Sequence, residues 1–391
     1  MQPPPVASEF RLGLEVCLAD PPQILKNTPF GLLLNQASVE RTFRSAHTLL
    51  AARFPGQLRA LFSPQHGLCS AQQDNMIESA HARAHGLPVF SLYSETRKPR
   101  PEMLHGLEAL VVDLQDVGTR VYTYIWTLLL CLEACAAAGV RVVVLDRPNP
   151  LGGELVEGPR LDPAYASFVG LHPIPMRHGL TIGELAQLLN AERKLGAALT
   201  VVPMRGWRRG MTWPALGRAW VPTSPNLPRW EGVQVYPGQV LLEGTQLSEG
   251  RGTTTPFEIF GAPWLDPDAL LRALEAHDLP GVVFRPLRFE PTFHKFAGQN
   301  CGGLFVHATD HRRFAPYRTT LAVLAEVRKL WPQHFAWRQP PYEYETKKLP
   351  IDILAGTAAV RLAIERGADA AEIEELARGE AGFGRSHWLY E

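Results

Sequence analysis

The sequence is short of cysteine, and its few cysteines do not form a recognisable set. The five cysteines among 391 residues are scattered, and no two of them stand in a CxxC pair. Cys131 and Cys135 lie four residues apart in an apolar helical run, where buried thiols are expected rather than a bridge or a metal site. The pattern argues against a disulfide framework and indicates a reducing compartment.

An excess of charge of either sign is also missing. Lysine plus arginine and aspartate plus glutamate both number 39, so no net field attracts nucleic acid or an anionic membrane surface. The apolar run at residues 125–131 is far shorter than the roughly 20 residues that span a bilayer. The start of the chain lacks the basic and apolar regions of a signal peptide. We therefore expect a cytoplasmic protein with no nucleic-acid or membrane partner.

Signature motifs of several enzyme classes are absent. The chain has no GxGxxG after a strand, no Walker loop, no HExxH and no GxSxG. These motifs position a dinucleotide, a nucleotide phosphate, a catalytic zinc ion and a nucleophilic serine, respectively. We therefore expect no cofactor and no metal ion. The alternative is a metal ion bound by Asp113, Asp116 and His66.

What the sequence does have is an alternation of strand-like and helix-like segments. Apolar strands are predicted at residues 31–34, 58–62, 88–92, 109–114 and 141–145, with helices at 45–53 and 122–138. Continuous apolar strands separated by helices predict an α/β fold with a parallel sheet covered on both faces. After about residue 231 shorter mixed elements follow, among them a strand at 233–235. We expect an N-terminal domain over 1–231 and a smaller α+β domain over 232–391.

Polar side chains directly follow four of the predicted strands. In open parallel sheets, ligands bind outside the carboxyl ends of the strands. Each residue alone could cap a turn or bond a loop carbonyl, but their coincidence at four strand ends indicates a site. The residues are Asn35, Gln65 with His66, Asp116, and Asp146 with Arg147 and Asn149.

Residues 248–258, Ser-Glu-Gly-Arg-Gly-Thr-Thr-Thr-Pro-Phe-Glu, form the most informative stretch of the chain. Glycines on both sides of Arg251 let the backbone adopt left-handed conformations or approach a ligand closely. Arg251 can then offer its planar guanidinium to a carboxylate or another oxyanion. The alternative is a tight turn with an internal Glu–Arg ion pair. We expect a binding loop.

A loop rich in tryptophan and proline separates two of the predicted elements. Exposed aromatic rings in loops commonly stack on the flat apolar faces of sugars, whereas buried rings would pack a second small core. Both interpretations stay open for these side chains. They are Trp207, Trp213, Trp220 and Trp230.

The motifs, taken in their order, resemble the exo-β-N-acetylmuramidase family of NamZ-type glycoside hydrolases. The resemblance covers nearly the whole chain and implies a Rossmann-like N-terminal domain with a smaller C-terminal one. It also implies release of N-acetylmuramic acid from the non-reducing ends of peptidoglycan fragments, a cell-wall recycling reaction. The motifs lie at residues 31–36, 62–67, 113–118, 146–150, 156–159, 175–179, 224–226, 236–238, 243–245, 248–257 and 291–293.

One position departs from the family pattern. The family has Pro-Glu-His-Gly where this chain has Pro-Gln-His-Gly at 64–67, and that glutamate is the leading catalytic candidate of the family. Glutamine cannot transfer a proton at neutral pH, whereas glycoside hydrolysis usually uses two carboxyl groups. Three explanations stay open. Asp116, Glu249 or Glu78 supplies the acid, the acetamido group of the substrate assists, or this member binds sugar with little hydrolysis.

The resemblance and the strand-end pattern together define the predicted site. N-acetylmuramic acid carries a lactyl carboxylate, which an arginine in a site loop would bind. The rival functions are a catalytically weak muropeptide-binding protein and a hydrolase of another substituted hexosamine. The predicted catalytic residues are Glu249, Asp116, His66 and Gln65. The predicted substrate-binding residues are Asn35, Arg120, Asp146, Arg147, Asn149, Arg177, His178, Asn226, Arg251 and Glu258.

Overall fold

A seven-stranded sheet forms the centre of the N-terminal part of the chain. The computed structural model describes residues 10–73 and 77–391. The strands follow the order β3-β4-β2-β1-β5-β6-β7, and all neighbours are parallel except β3 and β4. They are β1 (Phe30–Leu34), β2 (Leu58–Ser63), β3 (Ala82–Ala84), β4 (Leu87–Ser91), β5 (Ala109–Asp113), β6 (Arg141–Leu145) and β7 (Leu199–Val202).

The sheet has the Rossmann topology. Without the short antiparallel β3, the strand order β4-β2-β1-β5-β6-β7 corresponds to the Rossmann order 3-2-1-4-5-6. The order reverses between β1 and β5, where Leu34 pairs with Asp113 at the carboxyl ends. Every residue of β1 and β5 is buried, because helices cover both faces of the sheet. The predicted α/β class is confirmed, and the five strands predicted for the N-terminal part are all present.

Five helices accompany this sheet, and local signals explain the bounds of the longer ones. Gly139 ends α4 in the left-handed conformation, with φ of 68°. Thr181 and Glu184 form a reciprocal capping box at the start of α5. The helices are α1 (Gly13–Ala19), α2 (Ala46–Arg53), α3 (Pro101–Leu104), α4 (Tyr124–Ala138) and α5 (Ile182–Glu192).

The C-terminal part is a smaller antiparallel sheet packed with helices. Its strand order is β8-β10-β9, formed by β8 (Ile259–Ala262), β9 (Val282–Phe289) and β10 (Cys301–Ala308). This second unit agrees with the predicted smaller α+β domain. Its helices are α6 (Trp230–Gln239), α7 (Pro267–Leu274), α8 (Pro316–Leu330), α9 (Pro350–Ala355), α10 (Ala359–Arg366) and α11 (Ala370–Ala377).

The strand predicted at 233–235 is wrong, because these residues belong to α6. A Val-Gln-Val triplet alternates like a strand, but it is too short to establish a period of two. Trp230, Val233 and Pro237 recur at helical spacing and are buried. Gly238 lets α6 approach α8 closely, since a Cβ there would lie 1.9 Å from the carbonyl oxygen of Pro316. The predicted domain boundary at 231/232 falls in the first turn of α6.

Most buried apolar side chains form one continuous core that runs from the parallel sheet into the C-terminal helices, and a smaller second cluster includes side chains of α4 and α5. The last residues of the chain return to the N-terminal part, where the Tyr390 hydroxyl donates to Asp146 at 2.5 Å. Trp207, Trp213 and Trp230 are buried, and Trp220 packs edge-on against Trp213. The rings therefore pack inside the protein, but they join the main core instead of forming the expected second small core.

All five cysteines are free, and four of them are buried. Within residues 10–73 and 77–391, no helix combines the length and the apolar character needed to cross a membrane. The same described residues contain no group of three or more histidine, cysteine or acidic side chains placed to hold a metal ion.

Candidate active site

A pocket opens where loops from the two parts of the chain meet. Gln65 and His66 reach it directly after β2, as the rule for parallel sheets predicts. Polar residues from both parts line the wall, among them Gln65, His66, Asn226, Glu243, Arg251 and Glu343.

Gln65 is held in the pocket wall by partners on two sides. Its Oε1 accepts a hydrogen bond of 2.7 Å from the hydroxyl of Thr123, just before α4. Its side chain also lies beside the carboxyl group of Glu343, which lines the same pocket. Gln65 therefore connects the carboxyl end of the parallel sheet to a loop of the C-terminal part.

His66 is a neutral imidazole in this setting. Its Nδ1 lies 2.9 Å from the carbonyl oxygen of Gln72, and because a carbonyl can only accept, Nδ1 carries the proton. Burial lowers the pKa of His66 to about 4, and the charge of Arg251 acts in the same direction. At neutral pH, Nε2 is thus a hydrogen-bond acceptor.

Glu243 and Arg251 form a buried ion pair in the opposite part of the wall. Arg251 Nη2 donates to Glu243 Oε1 at 2.7 Å, and the Tyr342 hydroxyl donates to the second carboxylate oxygen, also at 2.7 Å. Arg251 additionally contacts Glu249 at 3.2 Å and the Gln73 carbonyl at 3.3 Å. The glycine-flanked loop therefore both contains an internal Glu–Arg ion pair and presents Arg251 to the pocket.

Glu249 does not line the pocket, which argues against its predicted catalytic role. Its carboxylate lies 2.8 Å from Lys295 Nζ and 3.3 Å from the Nδ1 atom of His294. Burial raises the pKa of Glu249, but the charges of Lys295, Arg251 and His294 outweigh it and hold the pKa at about 2. Glu249 is thus a permanent anion that anchors the loop, since Lys295 also bonds the carbonyls of Leu242 and Leu247.

Glu343 is a second carboxyl group in the pocket wall, and its surroundings differ from those of Glu243. It is 4 % exposed, and its Oε2 accepts a hydrogen bond of 2.9 Å from Tyr93. Burial, aided by the charge of the neighbouring Glu243, raises the pKa of Glu343 to about 7. The Tyr93 hydroxyl and the Gln65 amide act in the opposite direction and lower this pKa. At neutral pH a large fraction of Glu343 is therefore protonated.

Three pocket residues adopt left-handed backbone conformations that side chains disfavour. The φ angles are 68° at His66, 66° at Phe257 and 45° at Glu343. Such conformations cost about 1–3 kcal/mol each and persist where the surrounding structure imposes them. Strain of this kind at three points of one wall is typical of a functional site.

Residues 30–231 match the family described as Exo-beta-N-acetylmuramidase NamZ, N-terminal. Residues 234–383 match its C-terminal counterpart. The chain belongs to the NamZ family of exo-β-N-acetylmuramidases. It is accordingly a glycosidase, as the sequence resemblance implied.

Relatives of known sequence and structure agree with this assignment. The chain is 43 % identical over 360 residues to the peptidoglycan β-N-acetylmuramidase NamZ of Bacillus subtilis (strain 168), covering 92 % of this chain and 85 % of that protein. A DUF1343 family protein from Bacteroides fragilis superposes with a TM-score of 0.87 at 31 % identity, over 99 % of this chain and 100 % of the other. A second DUF1343 family protein from Bacteroides fragilis superposes with a TM-score of 0.75 at 29 % identity, over 98 % of this chain and 99 % of the other.

The loops after β1 and β5 carry predicted site residues whose polar groups contact other residues of the protein. The Asn35 amide donates to the Tyr124 hydroxyl at 2.8 Å and to the carbonyl of Thr223. Asp116 accepts from the backbone of Gly118 at 2.7 Å and lies 3.3 Å from His178. Asn35, Asp116 and His178 are not part of the pocket wall, so the structure does not support the predicted catalytic role of Asp116.

The motif after β6 in this NamZ-family chain is likewise structural. Arg147 binds both carboxylate oxygens of Asp113, at 2.6 and 2.9 Å, which also removes Asp113 from the metal alternative. Asp146 accepts from the Thr181 hydroxyl and the Gly183 backbone at the start of α5. Asn149 donates to the Leu180 carbonyl at 3.0 Å. These contacts stabilise the carboxyl edge of the sheet, and none of the three side chains lines the pocket.

Arg120, Arg177 and Glu258 also lie in internal networks. The Arg120 guanidinium donates to three backbone carbonyls, and Arg177 pairs with Glu157 at 2.8 Å. Glu258 accepts two hydrogen bonds from Arg229. The predicted residues that do line the pocket are therefore Gln65, His66, Asn226 and Arg251.

Two pocket carboxyl groups were missing from the predicted site, Glu243 and Glu343. Glu243 lies in the Glu-Gly-Thr motif that supports the NamZ resemblance, so a signal for it was present. Glu343 stands in the run Tyr-Glu-Tyr-Glu at 342–345, where aromatic and acidic residues alternate beside prolines. That run was the available signal for Glu343, because sugar sites combine carboxyl groups with aromatic rings.

Proposed function

We propose that this protein releases N-acetylmuramic acid from the non-reducing end of peptidoglycan fragments, as a cell-wall recycling enzyme. The observation that carries the proposal is the pair of carboxyl groups, Glu243 and Glu343, in the wall of one pocket. Hydrolysis of a glycosidic bond generally uses two carboxyl groups with different roles. The action of the Bacillus subtilis relative on peptidoglycan supports the same substrate class.

The family of the chain favours a terminal sugar, because both matching family models describe exo-β-N-acetylmuramidases. The wall offers His66 and Asn226 as hydrogen-bonding partners for sugar hydroxyl and acetamido groups. We therefore propose an exo mode of cleavage.

Arg251 supplies the cation that we propose for the lactyl carboxylate of N-acetylmuramic acid. Its contact with Glu243 is 2.7 Å and its contact with Glu249 is 3.2 Å, whereas the Nη1 contact with the neutral Gln73 carbonyl is the longest, at 3.3 Å. A substrate carboxylate would replace this weakest contact and gain a charge-assisted hydrogen bond. A cytoplasmic location, where recycled fragments are degraded, stays part of the proposal.

Gln65 is the observation that favours a second candidate, a muropeptide-binding protein with little hydrolysis. The amide lies in the pocket wall at the position where the family pattern has a glutamate. The two candidates differ in turnover but share the ligand. Binding alone therefore cannot separate them.

The deciding experiment is an end-group assay. The purified protein is incubated with a disaccharide of N-acetylmuramic acid β-linked to N-acetylglucosamine, with the reversed disaccharide, and with a longer glycan. Mass spectrometry should detect free N-acetylmuramic acid from the first and stepwise terminal release from the last. Glu243→Gln should abolish release, while Glu275→Gln, an exposed change on the far end of α7, should leave it intact.

Two results would contradict the proposed function. Internal cleavage of the longer glycan would exclude the exo mode. Calorimetric binding of the disaccharide without any release by the wild type would favour the muropeptide-binding candidate.

A further inference from the structure

The carboxyl group of Glu343 lies directly beside Gln65 in the pocket wall. Both side chains line the pocket, and the Gln65 amide is near enough to lower the pKa of Glu343. A carboxyl group at position 65 is absent from this chain, but another one lies beside that position. A proton donor displaced by so little can still reach a glycosidic oxygen bound in the same pocket.

The other acidic side chains considered for this role are placed less suitably. Glu243 is paired with Arg251 and Tyr342, which fits a carboxylate rather than a proton donor. Glu249 and Asp116 do not line the pocket. Glu78 is exposed and lies 3.8 Å from Arg97. Within the described part of the chain, the carboxyl groups in the pocket wall are thus Glu243 and Glu343.

The turn that carries Glu343 is strained, and neighbouring groups hold it in place. Tyr342 and Glu345 exchange two backbone hydrogen bonds of 2.9 Å, and the two residues between them have φ angles of 45° and 66°. A turn of this type normally contains Asn-Gly. The Tyr93 hydroxyl bonds Glu343, and Arg97 lies over the Tyr93 ring at 4.0 Å. The fold thus fixes a carboxyl group at the first central position of the turn, where a purely structural turn would have Asn, Asp or Gly.

We propose that Glu343 is the general acid of the reaction, in place of a glutamate at position 65. This assignment rests on the proposed glycosidase function. Glu343 donates its proton to the glycosidic oxygen while the bond from that oxygen to the anomeric carbon breaks, and the bonding electron pair stays on the oxygen. The hydrolytic water then gives its hydroxyl group to the anomeric carbon and its proton to the Glu343 carboxylate, which restores the protonated acid.

Gln65 and Tyr93 are positioning residues in this scheme. The Tyr93 hydroxyl donates to the carboxyl group of Glu343, the Gln65 amide lies beside it, and both stabilise the charged form after proton transfer. Burial favours the neutral form before the transfer. These opposing effects let one carboxyl group donate a proton and then carry the charge.

The test compares two leaving groups in the isosteric variant Glu343→Gln. We expect kcat/KM on the natural disaccharide to fall by ~10²–10⁴, because its alcohol leaves only when protonated. An aryl glycoside with an acidic phenol needs little protonation, so its kcat/KM should fall by less than about tenfold. Glu243→Gln should instead lower both rates to a similar extent, and Glu275→Gln should lower neither.

A second variant keeps the proposal testable if Glu343→Gln does not fold, which circular dichroism would show. The Tyr93 hydrogen bond lowers the pKa of Glu343, so Tyr93→Phe should move the alkaline limb of the kcat/KM profile to higher pH. A Tyr93 that only supports the turn would leave that limb in place and reduce the rate uniformly.

The possible outcomes separate the two proposals. No hydrolysis of either substrate by the wild type contradicts the proposed function itself. Wild-type hydrolysis with equal losses, or no loss, on both substrates in Glu343→Gln overturns the assignment of Glu343 alone. An unmoved alkaline limb in Tyr93→Phe overturns it as well.

Discussion

Arg251 and Glu243 form a buried ion pair in the pocket wall, with Nη2 of the one 2.7 Å from Oε1 of the other. The pair joins the glycine-flanked loop to the short 3₁₀ turn at Val240–Gly244. Each partner has a further contact, Arg251 with Glu249 and Glu243 with Tyr342. A change in either residue of this ion pair should therefore affect the charge of the pocket, the conformation of the loop and catalysis.

Glu243→Gln should damage both catalysis and stability. It leaves the buried Arg251 guanidinium without its shortest carboxylate contact, and loss of one partner of a buried pair typically costs about 3–5 kcal/mol. The remaining contact with Glu249 should keep the loss at the lower end of that range. Urea denaturation measures stability and steady-state kinetics measures turnover. Unchanged turnover in a folded variant would remove Glu243 from the reaction.

Arg251→Lys should weaken binding of N-acetylmuramic derivatives by roughly 1.5–3 kcal/mol, the scale of a charged hydrogen bond. N-acetylglucosamine analogues lack the lactyl carboxylate, so their affinity should hardly change. Calorimetric titration of both sugars measures the difference. An equal loss for the two sugars would assign Arg251 to the support of Glu243 and the loop.

Gln65→Glu should place two carboxyl groups within hydrogen-bond distance of each other. Such a pair shares a proton and titrates in two separated steps. With Glu343 as the acid, we expect the alkaline limb of the pH–rate profile to move to higher pH, while turnover at neutral pH does not increase. A rise of ~10² or more in turnover would show that the chain had lost its acid at position 65.

Glu249→Gln should lower stability more than turnover, contrary to the expectation from the loop sequence. The pKa of Glu249 in the folded protein, about 2, lies below the value near 4.3 of an unfolded glutamate. Its stabilising contribution is therefore present above pH ~4.3 and is lost as the pH falls through about 2. Urea denaturation across this range should show a smaller acid dependence in the variant. A large loss of kcat with unchanged stability would restore Glu249 as a catalytic candidate.

The strands of the parallel sheet could be predicted because each is a short apolar run bounded by turn residues. The strand ends also indicated the correct edge of the sheet, where Gln65 and His66 enter the pocket. The same pattern could not separate Gln65 from Asn35, Asp116 or Arg147, since all four follow a strand. Whether such a side chain faces a ligand or a neighbouring loop depends on partners such as Asp113 and Tyr124, which lie far away in the sequence.

The sequence by itself determined the α/β alternation, the Rossmann sheet and the family, because these depend on local periodicity and on motifs read along the chain. Only the tertiary structure decided which carboxyl groups meet the substrate. Glu249 is held as an anion by Lys295 and Arg251 outside the pocket, and Glu343 lies beside Gln65 although it is far away in the sequence. The physical reason is that burial and neighbouring charges set the state of an acid, and the fold supplies both.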